Sequence, residues 1–371
     1  MAQTDLTASE VEMYLPTQGE ALRLLAVHAH PDDESSKGAA STAKYISEGV
    51  QIMVVSCTGG ERGDILNPGF ELGDRSISEV RKAEMKRAAE ILGVSHRWLG
   101  FEDSGWPDGD PKPPLPKGCF ADLPLETVSA PLVEIVREFK PHVITTYDEN
   151  GGYPHPDHIR THEVSMFAWE QAANPDYKTS QEPWAAAKLY YHHGFSKLRV
   201  QTMHDVCLEL GIDSPYQEWL DEWEDEDLVT DRVTARINCA NWFPIREAAL
   251  KAHETQIDPN GSWFVIPNEK LVQIWPTEDY ELAISRIGEI VEETDLFEGL
   301  RGALMFRFIT SIAGTSPEPF PSSTMLDPAT VNPGPIGGIV LLVLTIAVVL
   351  LMFSFNRHVK KVNFEQDTDE Q

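Results

Sequence analysis

The chain has 371 residues, 42% of them apolar, which suits one large α/β domain or two ordinary ones, with a sizeable core, and excludes a disordered protein. Its 30 Lys and Arg stand against 59 Asp and Glu, a formal charge of −29, which argues against binding a nucleic-acid phosphate backbone. The four cysteines, Cys57, Cys119, Cys207 and Cys239, form no CxxC pair, so no thiolate metal site is expected and a reduced, cytosolic-type setting suits them.

Residues 1–20 are acidic and lack the apolar core of a secretory signal, and read as a disordered lead-in. "LRLLAV" (22–27) is the first apolar strand, followed by a helix pattern over 36–48. "QIMVVSC" (51–57) is the second strand. "ISEVRKAEMKRAAEILG" (77–93) is an amphipathic helix with Gly93 as its C-cap. "HRWLGF" (96–101), a helix over 125–140 despite Pro131, "HVITTY" (142–147) and a helix beginning near Pro156 continue the alternation. Repeated β-α units with apolar strands predict a doubly wound, mostly parallel, Rossmann-like α/β sheet. Residues 171–230 are less regular. "AAKLYYHHGF" (186–195) and "DRVTARINC" (231–239) read as strands, and 243–257 as a helix.

The expected domain spans 21–300, with a Pro/Ser linker over 301–335. "IGGIVLLVLTIAVVLLMFSF" (336–355) carries no charge and has the length that crosses a bilayer, so a C-terminal transmembrane helix, with the lipid bilayer as partner, is expected there. A charged tail over 356–371 follows, and its basic start favours that end facing the cytoplasm.

Two segments carry the chemistry. "VHAHPDDESSKG" (27–38) puts His30, Asp32, Asp33 and Glu34 directly after a buried strand. Adjacent buried carboxylates raise each other's pKa unless a cation compensates them. A helix cap would account for one aspartate, not for the cluster. "YDENGGYPHPDHIRTH" (147–162) likewise follows a strand and opens a helix. Strand-to-helix loops of a parallel sheet emerge at its carboxyl edge, where ligands bind, and "TGGERGD" (58–64) and "GFEDSG" (100–105) lie on such loops too. The four loops are expected to form one crevice.

Two histidines and a carboxylate suit one Zn2+ with an open position, and Fe2+ takes the same set. The expected ligands are His30, Asp33 and His158, with Asp32 as general base on water. His155, as imidazolium, would stabilise the oxyanion of a tetrahedral intermediate, and Asp157 would orient His155 and hold its charge. This arrangement describes amide or ester hydrolysis.

"AHPDDE" (29–34) with the later "HPDH" (155–158) resembles the PIG-L-type (LmbE-like) zinc N-deacetylases, and assigns the same roles to those residues. The longer blocks "TGGERGDILNP", "LGFEDSGWPDGD", "KLYYHHGF" and "KAHETQIDPN" are similar to the mycothiol S-conjugate amidases within that superfamily, over roughly 22–296. The resemblance implies zinc-dependent cleavage of the amide in mycothiol S-conjugates, releasing a mercapturic acid and glucosaminyl-inositol in the detoxification of electrophiles. The alternative is N-deacetylation of N-acetylglucosaminyl-inositol. It further implies that Tyr153 meets the substrate carbonyl or the oxyanion, a stacked loop aromatic being the plainer reading. Arg81 and Asp103 would bind sugar-inositol hydroxyls, though Arg81 also reads as a helix-surface charge. Lys37 would contribute to specificity, or be a solvated helix residue. An intracellular thiol substrate implies a cytoplasmic catalytic domain on a membrane anchor. His253 and Gln256 share a helix face and are expected no closer than behind the ligands. His192, His193, Trp219 and Trp223 read as structural.

Overall fold

In the computed structural model, which describes residues 15–17, 19–194, 196–222, 232–288 and 292–301, the apolar runs assemble into one seven-stranded sheet. Strands β1 (Arg23–His28), β2 (Gln51–Thr58), β3 (Ser95–Phe101), β4 (Val143–Thr146) and β5 (Lys188–His192) are parallel, in the order β3-β2-β1-β4-β5. The winding direction reverses between β1 and β4, and the two histidine-bearing segments follow those two neighbouring strands. A crevice at the carboxyl edge is therefore dictated by topology. Strands β6 (Ala235–Asn238) and β7 (Thr277–Ser285) extend the sheet as β5-β7-β6, with β7 antiparallel to both neighbours.

Residues 24–28 of β1 are all buried, as in a sheet covered on both faces. Successive side chains point to opposite faces. Leu25 and Val27 join Val133, Val136 and Val164 of helices α4 (Leu125–Phe139) and α5 (Pro156–Ala173). Leu24 and Ala26 join Tyr45 and Met85 of helices α2 (Ala39–Ser47) and α3 (Ile77–Leu92) on the other face. Helix α3 opens on a capping box between Ser76 and Glu79 and closes on Gly93 in the left-handed conformation (φ 75°), as its sequence predicts.

The helix expected over 36–48 is instead two, a turn α1 (Asp33–Ser36) and α2, because Lys37 is extended and Gly38 has φ +84°. A Cβ on Gly38 would stand 2.9 Å from His192 Cε1 and from Tyr280 Oη. The helix expected over 243–257 stops early, as α8 (Phe243–Ala252). Helices α6 (Lys197–Glu209), α7 (Gln217–Glu222) and α9 (Asn268–Ile274) lie in or after the stretch read as irregular.

The described residues all belong to the unit Met1–Ala313. The expected lead-in lies largely outside them, and the linker from 302, the segment 336–355 and the tail lie wholly outside. Among the described residues no helix is long and apolar enough to cross a membrane. The fold class is therefore corrected to a mostly parallel α/β sheet with no transmembrane helix assigned. The bilayer partner and the membrane localisation inferred from that helix fall with it. An uncharged run meets the length condition for a span, but a span also requires a continuous helix that satisfies its own backbone, and none is described.

Candidate metal centre

Past the end of β1 the chain turns sharply. Asp32 has φ 103°, a conformation rare outside glycine. Its backbone N–H donates to Glu34 Oε2 (2.9 Å), and its carbonyl accepts from Ser35 and Ser36 at the start of α1. The Asp32 carboxylate itself makes no capping hydrogen bond. Its backbone thus caps the helix and its side chain is left for other work. Glu34 is in turn fixed by the buried His253, whose Nε2 lies 2.7 Å from Glu34 Oε1. That contact brings in the first residue past α8. Gln256 donates to the Pro31 carbonyl at 2.7 Å from the same segment.

His30, Asp33 and His158 offer ligand atoms within 4.8 Å of one another. Asp33 Oδ2 is 3.6 Å from His30 Nδ1 and 3.4 Å from His158 Nε2. His158 Nδ1 hydrogen-bonds the Gly151 carbonyl (2.9 Å), which directs Nε2 inward. That Nε2 is buried without a hydrogen-bond partner among the described residues. An orphaned, inward-facing imidazole nitrogen beside a carboxylate is what a metal ligand looks like before the metal is added. Tyr147, which sequence reasoning missed, stacks on the His158 ring (4.4 Å between centroids, 11° between planes), and its hydroxyl receives the Ala29 N–H at 3.1 Å. Its position at the end of β4 was the available signal.

Asp157 differs from expectation. Its Oδ2 is 3.3 Å from His30 Nε2 and accepts the Ser104 N–H at 2.9 Å. His155 receives only the Asp157 backbone N–H, at Nδ1 (3.1 Å). The carboxylate therefore orients His30, leaving the Nδ1 edge of that ring toward Asp33. His30, His155 and Asp157 form a second possible donor group, but the hydrogen bond that His30 Nε2 donates to Asp157 reads as the carboxylate–histidine support of the first. The hydrogen bond at Nδ1 differs from what an imidazolium would make there. Burial, reinforced by the nearby charge of His30, lowers the His155 pKa to about 4. A neutral ring whose Nδ1 accepts carries its proton on Nε2.

The other charges are sorted by burial and neighbours. Burial, then the charge of Asp33, pushes Asp32 up to about 7. Asp33 is held well below its ordinary range because Lys37, His158 and His30 outweigh the cost of its burial. For His30 burial is outweighed by hydrogen bonds to Asp103, Asp157 and Asp33, which raise its pKa.

Lys37 Nζ lies 2.7 Å from Asp33 Oδ1, inside the site rather than on a solvated helix face. Asp103 is buried, 3.7 Å from His30 Nε2 through Oδ1, and its carboxylate also accepts the Arg62 and Gly105 N–H groups. Those bonds tie the β2 and β3 loops together. Arg81 is neither a surface charge nor free for a sugar. It is buried, and its guanidinium donates to the carbonyls of Gly60, Gly63 and Asp64. Its role here is to shape the loop after β2. Tyr153 is 43% exposed and leans on the His158 ring at 4.3 Å, at the mouth of the site with Trp106.

The family model described as PIG-L, GlcNAc-PI de-N-acetylase, matches residues 25–169, which hold every donor above. The chain is 52% identical over 292 residues to the mycothiol S-conjugate amidase of Streptomyces coelicolor, an alignment covering 76% of this chain and 98% of that one. The chain belongs to the PIG-L family. It is also 36% identical to the 1D-myo-inositol 2-acetamido-2-deoxy-alpha-D-glucopyranoside deacetylase of Streptomyces avermitilis, over 75% of this chain and 97% of that one. A solved structure from Thermus thermophilus, the conserved protein TT1542, aligns with TM-score 0.48 and 19% identity over 72% of this chain and 97% of that one.

In this PIG-L chain one glycine is required by close approach. Gly151 has φ +76°, and a Cβ there would stand 2.6 Å from His158 Cβ. Gly151→Ala is expected to displace the carbonyl that holds His158 and to weaken metal affinity about 10- to 100-fold. Titration of the stripped variant with a metal-competing dye checks this, and an unchanged affinity would refute it.

Proposed function

We propose that the chain hydrolyses the amide of mycothiol S-conjugates, with Zn2+ held by His30, Asp33 and His158. Water oxygen adds to the amide carbonyl carbon, the C–N bond breaks, and the acyl part leaves as an N-acetylcysteine S-conjugate. The glucosaminyl-inositol amine takes the proton. The observation that carries the reading is the Asp32 carboxylate, engaged in no capping bond, beside His30, Asp33 and His158, whose Nε2 is buried without a partner among the described residues. The greater identity to the amidase than to the deacetylase favours the conjugate over N-acetylglucosaminyl-inositol.

The metal, when bound, supplies Lewis-acid polarisation of the carbonyl and makes water more acidic. The rest belongs to the chain. Asp32, whose carboxylate makes no capping hydrogen bond, accepts the proton of the attacking water and returns it to the departing nitrogen. His155, neutral and protonated on Nε2, donates to the developing oxyanion. Asp157 keeps His30 in one orientation, and Lys37 keeps Asp33 ionised. Two imidazoles and one carboxylate suit Zn2+, and Fe2+ takes the same donors.

The test is hydrolysis of a fluorescent mycothiol S-conjugate by the full chain, beside N-acetylglucosaminyl-inositol. Chelator treatment is expected to abolish cleavage, and added Zn2+ to restore it. Preference for the acetylated sugar would move the assignment to the deacetylase, and chelator-resistant cleavage would remove the metal from the reading.

A further inference from the structure

A cavity of about 210 Å³ adjoins the metal donors, between the Lys37–Gly38 bend, α6, α8 and the start of β7. Lys37 stands on the shared wall, touching Asp33 with its ammonium and lining the cavity as well. The remaining wall is largely apolar, with Met203, Leu250, Trp219 and Trp263 among its residues. Two cations face this space, Arg199 from α6 and Arg246 from α8.

The acids lining the cavity have other direct partners, although the charges of Glu278 and Glu247 also act on Arg246. Glu278 accepts the Ala40 and Ser41 N–H groups at 3.1 and 2.8 Å. Asp279 takes Trp275 Nε1 and Thr277 Oγ1 at 3.1 and 2.7 Å. Glu247 pairs with Lys251 at 3.4 Å. Among the described residues, no hydrogen bond or ion pair reaches either arginine side chain. Arg246 lies over the Phe243 ring at 4.1 Å, and Arg199 lies 6.0 Å from the Trp275 ring. Leaving guanidinium donors partly desolvated and unpaired is costly, and two planar forks against aromatic walls match a carboxylate on an aromatic group.

We propose that this cavity seats the S-linked group of the conjugate and that Arg199 and Arg246 select adducts bearing an anionic, planar substituent. The inference rests on the amidase reading. The chain's charge of −29 would by itself disfavour an anionic substrate, so a preference for one must come from local cations.

The test compares two size-matched substrates, the S-(4-carboxybenzyl) and S-(4-methylbenzyl) conjugates of mycothiol, on the full-length holoenzyme. The expected kcat/KM ratio is about tenfold in favour of the carboxylate. The double variant R199M/R246M is expected to bring the ratio to about one or below it. R199M alone, at a half-buried position, is expected to lower the ratio severalfold, and serves if the double variant fails to fold. R246K should keep part of the preference, as a purely structural role would not predict. A wild-type ratio near one, or a ratio the Met variants leave unchanged, overturns the inference while the amidase reading stands. Turnover of neither conjugate overturns both.

Discussion

Replacing Asp32 by asparagine is expected to lower kcat/KM by about 10²- to 10⁴-fold while metal content stays at the wild-type level. The two readouts are expected to separate because Asp32 lies next to a proposed donor and is outside the proposed donor group. Its backbone caps α1, its carboxylate makes no capping bond, and it belongs to neither group of side chains that could hold a metal, the proposed one being His30, Asp33 and His158. Asn preserves the shape and removes the proton acceptor. Metal analysis beside steady-state kinetics decides the matter. Loss of metal with activity would make Asp32 a ligand, and retained activity would move the base elsewhere. Asp33→Ala is the contrasting case, since it removes a proposed ligand and leaves Lys37 without its carboxylate.

The largest effect on stability is expected at His253. His253→Ala leaves Glu34 buried with no cation beside it, and breaking such a pair costs about 3–5 kcal/mol. Urea unfolding near pH 6 measures it. A loss below about 1 kcal/mol would show that Glu34 escapes to solvent or is protonated. The pH dependence follows from the two shifts. For Glu34 the His253 charge and hydrogen bonds outweigh burial and depress the pKa from 4.5 to about 2, so its contribution is present above 4.5 and is lost as pH falls toward 2. For His253 the Glu34 charge outweighs burial and raises the pKa above 6.5, so its contribution is present below 6.5 and is lost as pH rises through the raised value. The difference between wild type and variant should therefore be greatest between pH 4.5 and 6.5 and shrink on both sides. Glu34 also holds the Asp32 N–H, so the variant is expected to lose turnover together with stability.

Much of the candidate site's placement is legible in the sequence because chain order and a parallel sheet leave little freedom. Two His-Asp segments that each follow a strand must emerge at the same edge, and β1 and β4 are in fact neighbours. The position of Asp103 on the β3 loop followed from the same rule. What could not be read was direction. Asp157 stands two residues from His155 in sequence, yet its carboxylate turns to His30, because the first turn of α5 packs against the β1 loop and the Ser104 amide takes the same oxygen. Arg81 looked like a helix-surface charge or a sugar ligand. Its burial depends on a loop some twenty residues earlier folding over it. Strand β7 escaped notice because it pairs antiparallel at the far side of β5, outside the β-α rhythm.

The amino-acid sequence alone determined the α/β alternation and the family, and it supplied the proposed donor trio and base, since these depend on local periodicity and on short motifs. Tertiary structure decided which groups are paired and which remain unpaired. Glu34 meets His253 across 219 positions of sequence, His158 Nε2 is left open while Nδ1 is bound, and no hydrogen bond or ion pair among the described residues reaches the Arg199 or Arg246 side chain. A pairing between distant side chains is a matter of packing in three dimensions, where burial sets the cost of each unpaired charge, and no spacing along the chain encodes it.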